Sequence, residues 1–117
     1  MAKYVNVNKQ NSVYKSGESI DTSTFEVKTI ARTGTQIAFD APAVYNTVTV
    51  PATGNITDDL TGARIGVIQK IYHNDAAAPT FPAGWVNIGS GSYTAGSLNL
   101  IYAEWTSGTR VEYWFNN

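Results

Sequence analysis

The sequence predicts an all-β domain, an antiparallel β-sandwich of jelly-roll-like type with little or no helix. Three observations carry this. Roughly eight or nine short apolar runs recur at about 8–12-residue spacing, separated by Gly, Pro, Asn and Ser clusters. Most of these runs alternate with period two, as half-buried strands do. Only Thr57 to Gly62 has the makings of a helical turn, with Thr57 as cap, Asp58 and Asp59 in the first turn and Gly62 to end it.

In chain order, residues 1–22 differ in texture from the rest of the chain. Tyr4, Asn6 and Asn8 alternate with Val5 and Val7, which suits a short strand, and the pair Val13–Tyr14 sits between polar, turn-type stretches. Two readings stand. One is an extended arm docking on a neighbour through Tyr4, Val5, Val7, Val13 and Tyr14, with a sandwich over 23–117. The other is a set of edge strands in the same domain. From Thr24 the strand signal is regular: Phe25, Val27 and Thr29 share a side, Thr33-Gly34 turns the chain, and Ile37 and Phe39 share the next face. Pro42 cannot donate to a ladder and breaks the pattern. Val44 to Val50 alternates again, and Pro51 to Asn55 closes it. A longer strand places Ile65, Val67, Gln69 and Ile71 opposite Gly66, Ile68, Lys70 and Tyr72. His73 opens a loop that runs to Gly84. Trp85 to Ile88 is a short strand, and Gly89-Ser-Gly-Ser a flexible link.

The last element, Leu98 to Phe115, is the most strongly marked. Two runs rich in aromatic and β-branched residues flank a turn containing Ser107-Gly108, the signature of a hairpin. With Trp105 opposite Arg110, one face carries Leu100, Tyr102, Val111, Tyr113 and Phe115. The other carries Ile101, Ala103, Trp105 and Trp114, with Arg110 and Glu112 as its charges. Both faces are then apolar, whereas a one-sided sheet shows one polar face. That points to a strand pair buried between layers or between subunits, and the second face gives the expected subunit interface: Ile101, Ala103, Trp105, Arg110, Glu112 and Trp114.

Composition narrows the function. Charged residues make up 15% of the 117 residues and the formal net charge is −1, so the basic footprint of a nucleic-acid binder is missing. The chain holds no cysteine, which removes thiolate catalysis, disulfides and cysteine-based zinc sites. The opening residues lack the apolar stretch of a secretory signal, and no apolar run approaches the ~18 residues of a membrane span. The expectation is a soluble product made in the cytoplasm, without membrane insertion. Small β domains without staples often gain stability by associating with copies of themselves.

Candidate chemistry is sparse. His73 is the single histidine. A Ser-His-Asp arrangement with Asp75 lacks a Gly-x-Ser-x-Gly turn, so His73 reads as a loop residue bonded to local backbone. Glu104 and Glu112 resemble a glycosidase pair in type, yet the register above puts them on opposite faces; a bulge between Thr106 and Thr109 would change that. Asp58 and Asp59 near Asn55 lack the spacing of a calcium loop. Asn55-Ile56-Thr57 matches a glycosylation acceptor and reads as a turn. No catalytic, metal or cofactor residues are therefore assigned. The crowded aromatics of the second half have three readings: core, subunit interface, or a glycan-stacking platform using Trp85, Trp105 or Trp114.

The order Ile71-Tyr-His-Asn74, Pro79-Thr-Phe-Pro82, Gly84-Trp85-Val, Gly91-Ser-Tyr93, Asn99-Leu-Ile101, Glu104-Trp105 and Arg110-Val-Glu-Tyr-Trp114 resembles a small β module of tailed-phage virion proteins. That module stands at the carboxyl end of tail-fibre or head-fibre polypeptides. The resemblance spans about residues 54–117 and consists of aromatic and turn positions. It implies a virion structural or attachment role, commonly trimeric, with capsid or tail proteins as partners, and supplies no site residues. The region before the module is short for a fibre, which favours a compact decoration or tip protein docked by residues 1–22. A carbohydrate-binding module, or an attachment protein that binds a surface glycan, is the alternative.

Overall fold

The computed structural model describes residues 29–116, and over them the chain is all-β. The strands are β1 (Ile30–Arg32), β2 (Gln36–Ala38), β3 (Ala43–Tyr45), β4 (Thr57–Asp59), β5 (Ile68–His73), β6 (Trp85–Asn87), β7 (Asn99–Ser107) and β8 (Arg110–Phe115). Six form one sheet in the order β1-β3-β5-β7-β8-β6, and β2 pairs with β4 in a second. The expected arm, with Tyr4, Val5, Val7, Val13 and Tyr14, lies outside the described residues, as does the run from Phe25 to Lys28.

The expectation of an antiparallel fold needs correction. β1 with β3, β3 with β5, β2 with β4 and β6 with β8 all pair in parallel; only β5–β7 and β7–β8 are antiparallel. From Ile30 to His73 successive strands alternate between the two sheets. A strand reached by passing through the other sheet returns in the same direction as its neighbour, which is the crossover that parallel pairing requires. Period-two patterns report which residues share a face and carry no information about strand direction, so this winding is not legible in them.

Several strands are also shorter than their alternation. Asn46 stops β3: its backbone is left-handed (φ 69°), and its side chain accepts from Gly34 N at 2.8 Å and donates to Gly34 O at 3.0 Å. The chain then turns through Thr47 to Val50, leaving Val48 and Val50 exposed. Thr57 to Asp59 is strand β4, not a helical turn, because it pairs with Gln36 to Ala38. The turn comes after it, where Asp59 accepts from Thr61 N at 3.1 Å and Gly62 takes a positive φ. The link at Gly89 and Gly91 is packed, not loose: a Cβ on Gly89 would meet Trp114 Cβ at 2.9 Å, and one on Gly91 the Phe115 carbonyl at 2.8 Å.

Side chains from both sheets meet in one core. Ile37, Phe39, Ala43, Tyr45, Ile56, Val67, Ile71, Trp85, Ile101, Ala103 and Val111 form its buried cluster. The parity expected for Ile37 with Phe39, and for Val67 with Gln69 and Ile71, agrees with their burial. Gln69 is a polar member of this layer. Fully buried, it accepts from Ala43 N at 2.6 Å and donates to Ala38 O and Ala41 O at 2.7 Å each. It thus fastens β5 to the segment joining β2 to β3 and leaves no side-chain polar atom unpaired, the condition for burying an amide.

Candidate functional site

The hairpin decides which residues reach the surface. Ser107 pairs with Arg110 across a two-residue turn, Gly108-Thr109, with Gly108 at φ 53°. Glycine at the first central position with positive φ matches a type II′ hairpin turn. The register then shifts between Trp105 and Ser107, so Thr106 is an extra residue and Trp105 pairs with Val111. One extra residue reverses the side on which every later partner falls. Ile101, Ala103, Trp105, Val111, Tyr113 and Phe115 consequently share the inner face, against the core. Leu100, Tyr102, Glu104, Glu112 and Trp114 share the outer one.

This corrects the expected interface set. Ile101 and Ala103 are fully buried in the chain's own core, and Trp105 packs beside them with its Nε1 donating to Gly108 O at 2.9 Å. Trp114 and Glu112 are on the opposite side. Trp85, a candidate glycan platform, is also a core residue, 7% exposed; its ring packs among Phe39, Phe81 and Tyr113, and its Nε1 donates to Asp58 Oδ2 at 2.8 Å. Of the three tryptophans named for sugar stacking, only Trp114 stands on the outer face.

That outer face is the site. Across the strands, Val44, Lys70, Tyr102 and Trp114 make one row, Ile68, Glu104, Glu112 and Val86 a second, and Tyr72 with Leu100 a third. Tyr102 and Trp114 stack with ring centroids 5.6 Å apart and planes 19° from parallel. Lys70 Nζ lies 5.4 Å from the centre of the Tyr72 ring. Bonding to the Tyr72 side chain, then the influence of Tyr72 and Tyr102, raises the Lys70 ammonium above its ordinary range. Glu104 stands directly opposite Glu112. Like charges so placed oppose pairing; Arg110 relieves one of them, at 3.0 Å from Glu112. Glu104 has no ion-pair partner among the described residues. Ile68 and Val86 are exposed, and no strand of the described residues covers this layer. The carboxylates expected on opposite faces are therefore neighbours, placed so by the bulge.

The other candidates are structural. His73 is fully buried at the end of β5, not in a loop. Its Nε2 is 2.7 Å from Gly54 O and its Nδ1 2.8 Å from Tyr93 Oη. A carbonyl only accepts, so Nε2 donates to Gly54 O, and in the neutral ring Nδ1 accepts from the Tyr93 hydroxyl. That hydroxyl also accepts from Asp75 N at 2.7 Å. Both ring nitrogens are thus occupied in tying three loops together. Asp75 accepts from Gly54 N and Ala76 N, which hold its carboxyl below the usual range. Asp58, Asp59 and Asn55 each bind a different protein donor, Trp85, Thr61 and Thr80 respectively. Among the described residues no group of three or more potential metal ligands converges, and no helix is long and apolar enough to cross a membrane.

Sequence reasoning missed Lys70, Tyr72, Leu100, Tyr102 and Glu104 as one surface. The available signal was Glu112: a charge flanked by Val111 and Tyr113 belongs outside, which forces its neighbours inward. Compared with known proteins, the chain matches no family model, no curated protein and no solved structure.

Proposed function

We propose that the chain is a non-enzymatic structural component of a tailed-phage particle, of decoration, head-fibre or fibre-tip type. It assembles as a homotrimer, with residues 1–22 as its docking element. The two stacked sheets serve as a sandwich-type body, wound through parallel pairs. One observation carries the assembly reading: the outer face of β5, β7 and β8 presents Tyr72, Leu100, Tyr102 and Trp114, with Ile68 and Val86 exposed beside them. Contiguous apolar area rimmed by charge favours a contact surface over a solvated one. The phage setting and the threefold state rest on the resemblance of residues 54–117. The engagement of both His73 nitrogens supports a role without catalysis.

Sedimentation of the purified chain tests this. A trimer is expected at micromolar concentration, and Trp114→Glu should yield a folded monomer with unchanged far-ultraviolet dichroism. A native chain that sediments as a monomer throughout refutes the proposal.

One observation favours a second reading. The stacked Tyr102 and Trp114 rings lie beside Glu104 and Lys70, a combination that suits a sugar with its hydroxyl groups at the rim. A monomer whose tryptophan emission shifts with added glycan supports that alternative.

A further inference from the structure

We propose that the outer face receives the amino-terminal segment, residues 3–15, of a neighbouring copy. This rests on the assembly reading above and names the partner at that surface. Three observations point to this occupant. The first is charge. Glu104 and Glu112 face each other on the outer layer, with Arg110 engaging Glu112 alone. The segment carries Lys3, Lys9 and Lys15 and has no acid before Glu18. Lysines set against the carboxylates would relieve a repulsion that the sheet otherwise bears. The second is side-chain type. Tyr4, Val5, Val7, Val13 and Tyr14 are spaced along otherwise polar chain, and the face offers Tyr72, Leu100, Tyr102 and Trp114 to cover. The third is reach. An extended chain spans about 70 Å over residues 1–22. Six strands at about 4.8 Å spacing measure about 24 Å from edge to edge. The chain enters the sheet at β1, an edge strand, so an arm from the next copy has ample length to lie across it.

The neighbour's segment, and not the chain's own, is the occupant for a geometric reason. A segment folded on its own face would cover the surface that joins copies. A segment laid on the next copy makes a head-to-tail contact, which forms a ring such as a trimer where its rotation closes and a filament where it does not.

The test uses the full-length protein. Isotopically heavy and light chains are mixed, allowed to exchange, and joined with a zero-length carbodiimide that links a lysine amine to a carboxylate. Mass spectrometry should find Lys3, Lys9 or Lys15 joined to Glu104 or Glu112 in mixed heavy–light pairs. In parallel, reversing the three lysines to Glu should raise the trimer dissociation constant at least tenfold. Adding Glu104→Lys with Glu112→Lys should restore at least half of that loss. Links confined to one chain, or trimers indifferent to the reversal, overturn the inference while the assembly reading stands. A native chain that is monomeric overturns both, and sedimentation before crosslinking tells the two failures apart.

Discussion

The two faces of the six-stranded sheet are built from the same strands and differ in what they must satisfy. The inner face is closed. Ile71, Ile101, Ala103 and Val111 have no exposed area, and its polar members, Gln69, His73 and Asn99, have their side-chain hydrogen bonds met within the chain. The outer face is open and mixed, with half-buried aromatics beside Lys70, Glu104 and Glu112. Its aromatic rings stack on each other, and its carboxylates stand opposite each other with Glu112 alone held in an ion pair among the described residues. An inner face of this kind explains folding. An outer face of this kind remains unexplained until a partner is supplied. What divides them is one residue, Thr106.

Val111→Lys is the harshest way to break the contrast. Val111 pairs with Trp105 on the inner face and is fully buried, so the lysine sets an ammonium with no partner in the core. Burying a charge without its partner costs about 3–5 kcal/mol, so the variant should fail to fold cooperatively. Thr106→Ala, at the bulge, loses only the hydroxyl bond to Arg110 O, at about 1 kcal/mol. Chemical denaturation of the pair checks this, and equal losses would mean that Val111 does not face the core.

Neighbouring residues sharpen the same comparison. Ile101→Ala leaves a cavity in the core and should cost about 2–5 kcal/mol in unfolding free energy. Tyr102→Ala, one position along, removes a stacked outer ring and should cost about 1 kcal/mol, while weakening self-association. Comparable destabilisation by both would erase the distinction.

The smallest effect belongs to Asp75. Its backbone partners Gly54 and Ala76 depress its pKa, so the folded state is favoured while the group is ionised. That contribution is complete above the ordinary aspartate value of about 3.9. It is lost as pH falls through the lower folded-state value. Melting temperature should fall below pH 4, and Asp75→Asn should flatten that limb; an unchanged slope would remove Asp75 from the account.

How far the sequence foretold this differs from element to element. The all-β class followed from alternation and punctuation. So did the core parity of Ile37, Phe39, Val67 and Ile71, because burial on one face leaves a period-two trace. Parallel winding left no such trace, since alternation is blind to direction. The truncation of β3 hung on a left-handed Asn46 locked to Gly34, a contact between distant residues. The outer face was hidden by one inserted residue in a turn whose composition admits several registers. Misreading it moved Ile101 and Ala103 from core to interface and separated two carboxylates that the fold brings together.

The central claim, that the outer face is covered only between copies, is tested most directly by hydroxyl-radical footprinting of Tyr102 and Trp114 across a concentration series. The account predicts that both rings react freely in dilute chain and become protected together as concentration rises, while Ile101 stays protected throughout. Constant, full reactivity of both rings at every concentration would contradict it.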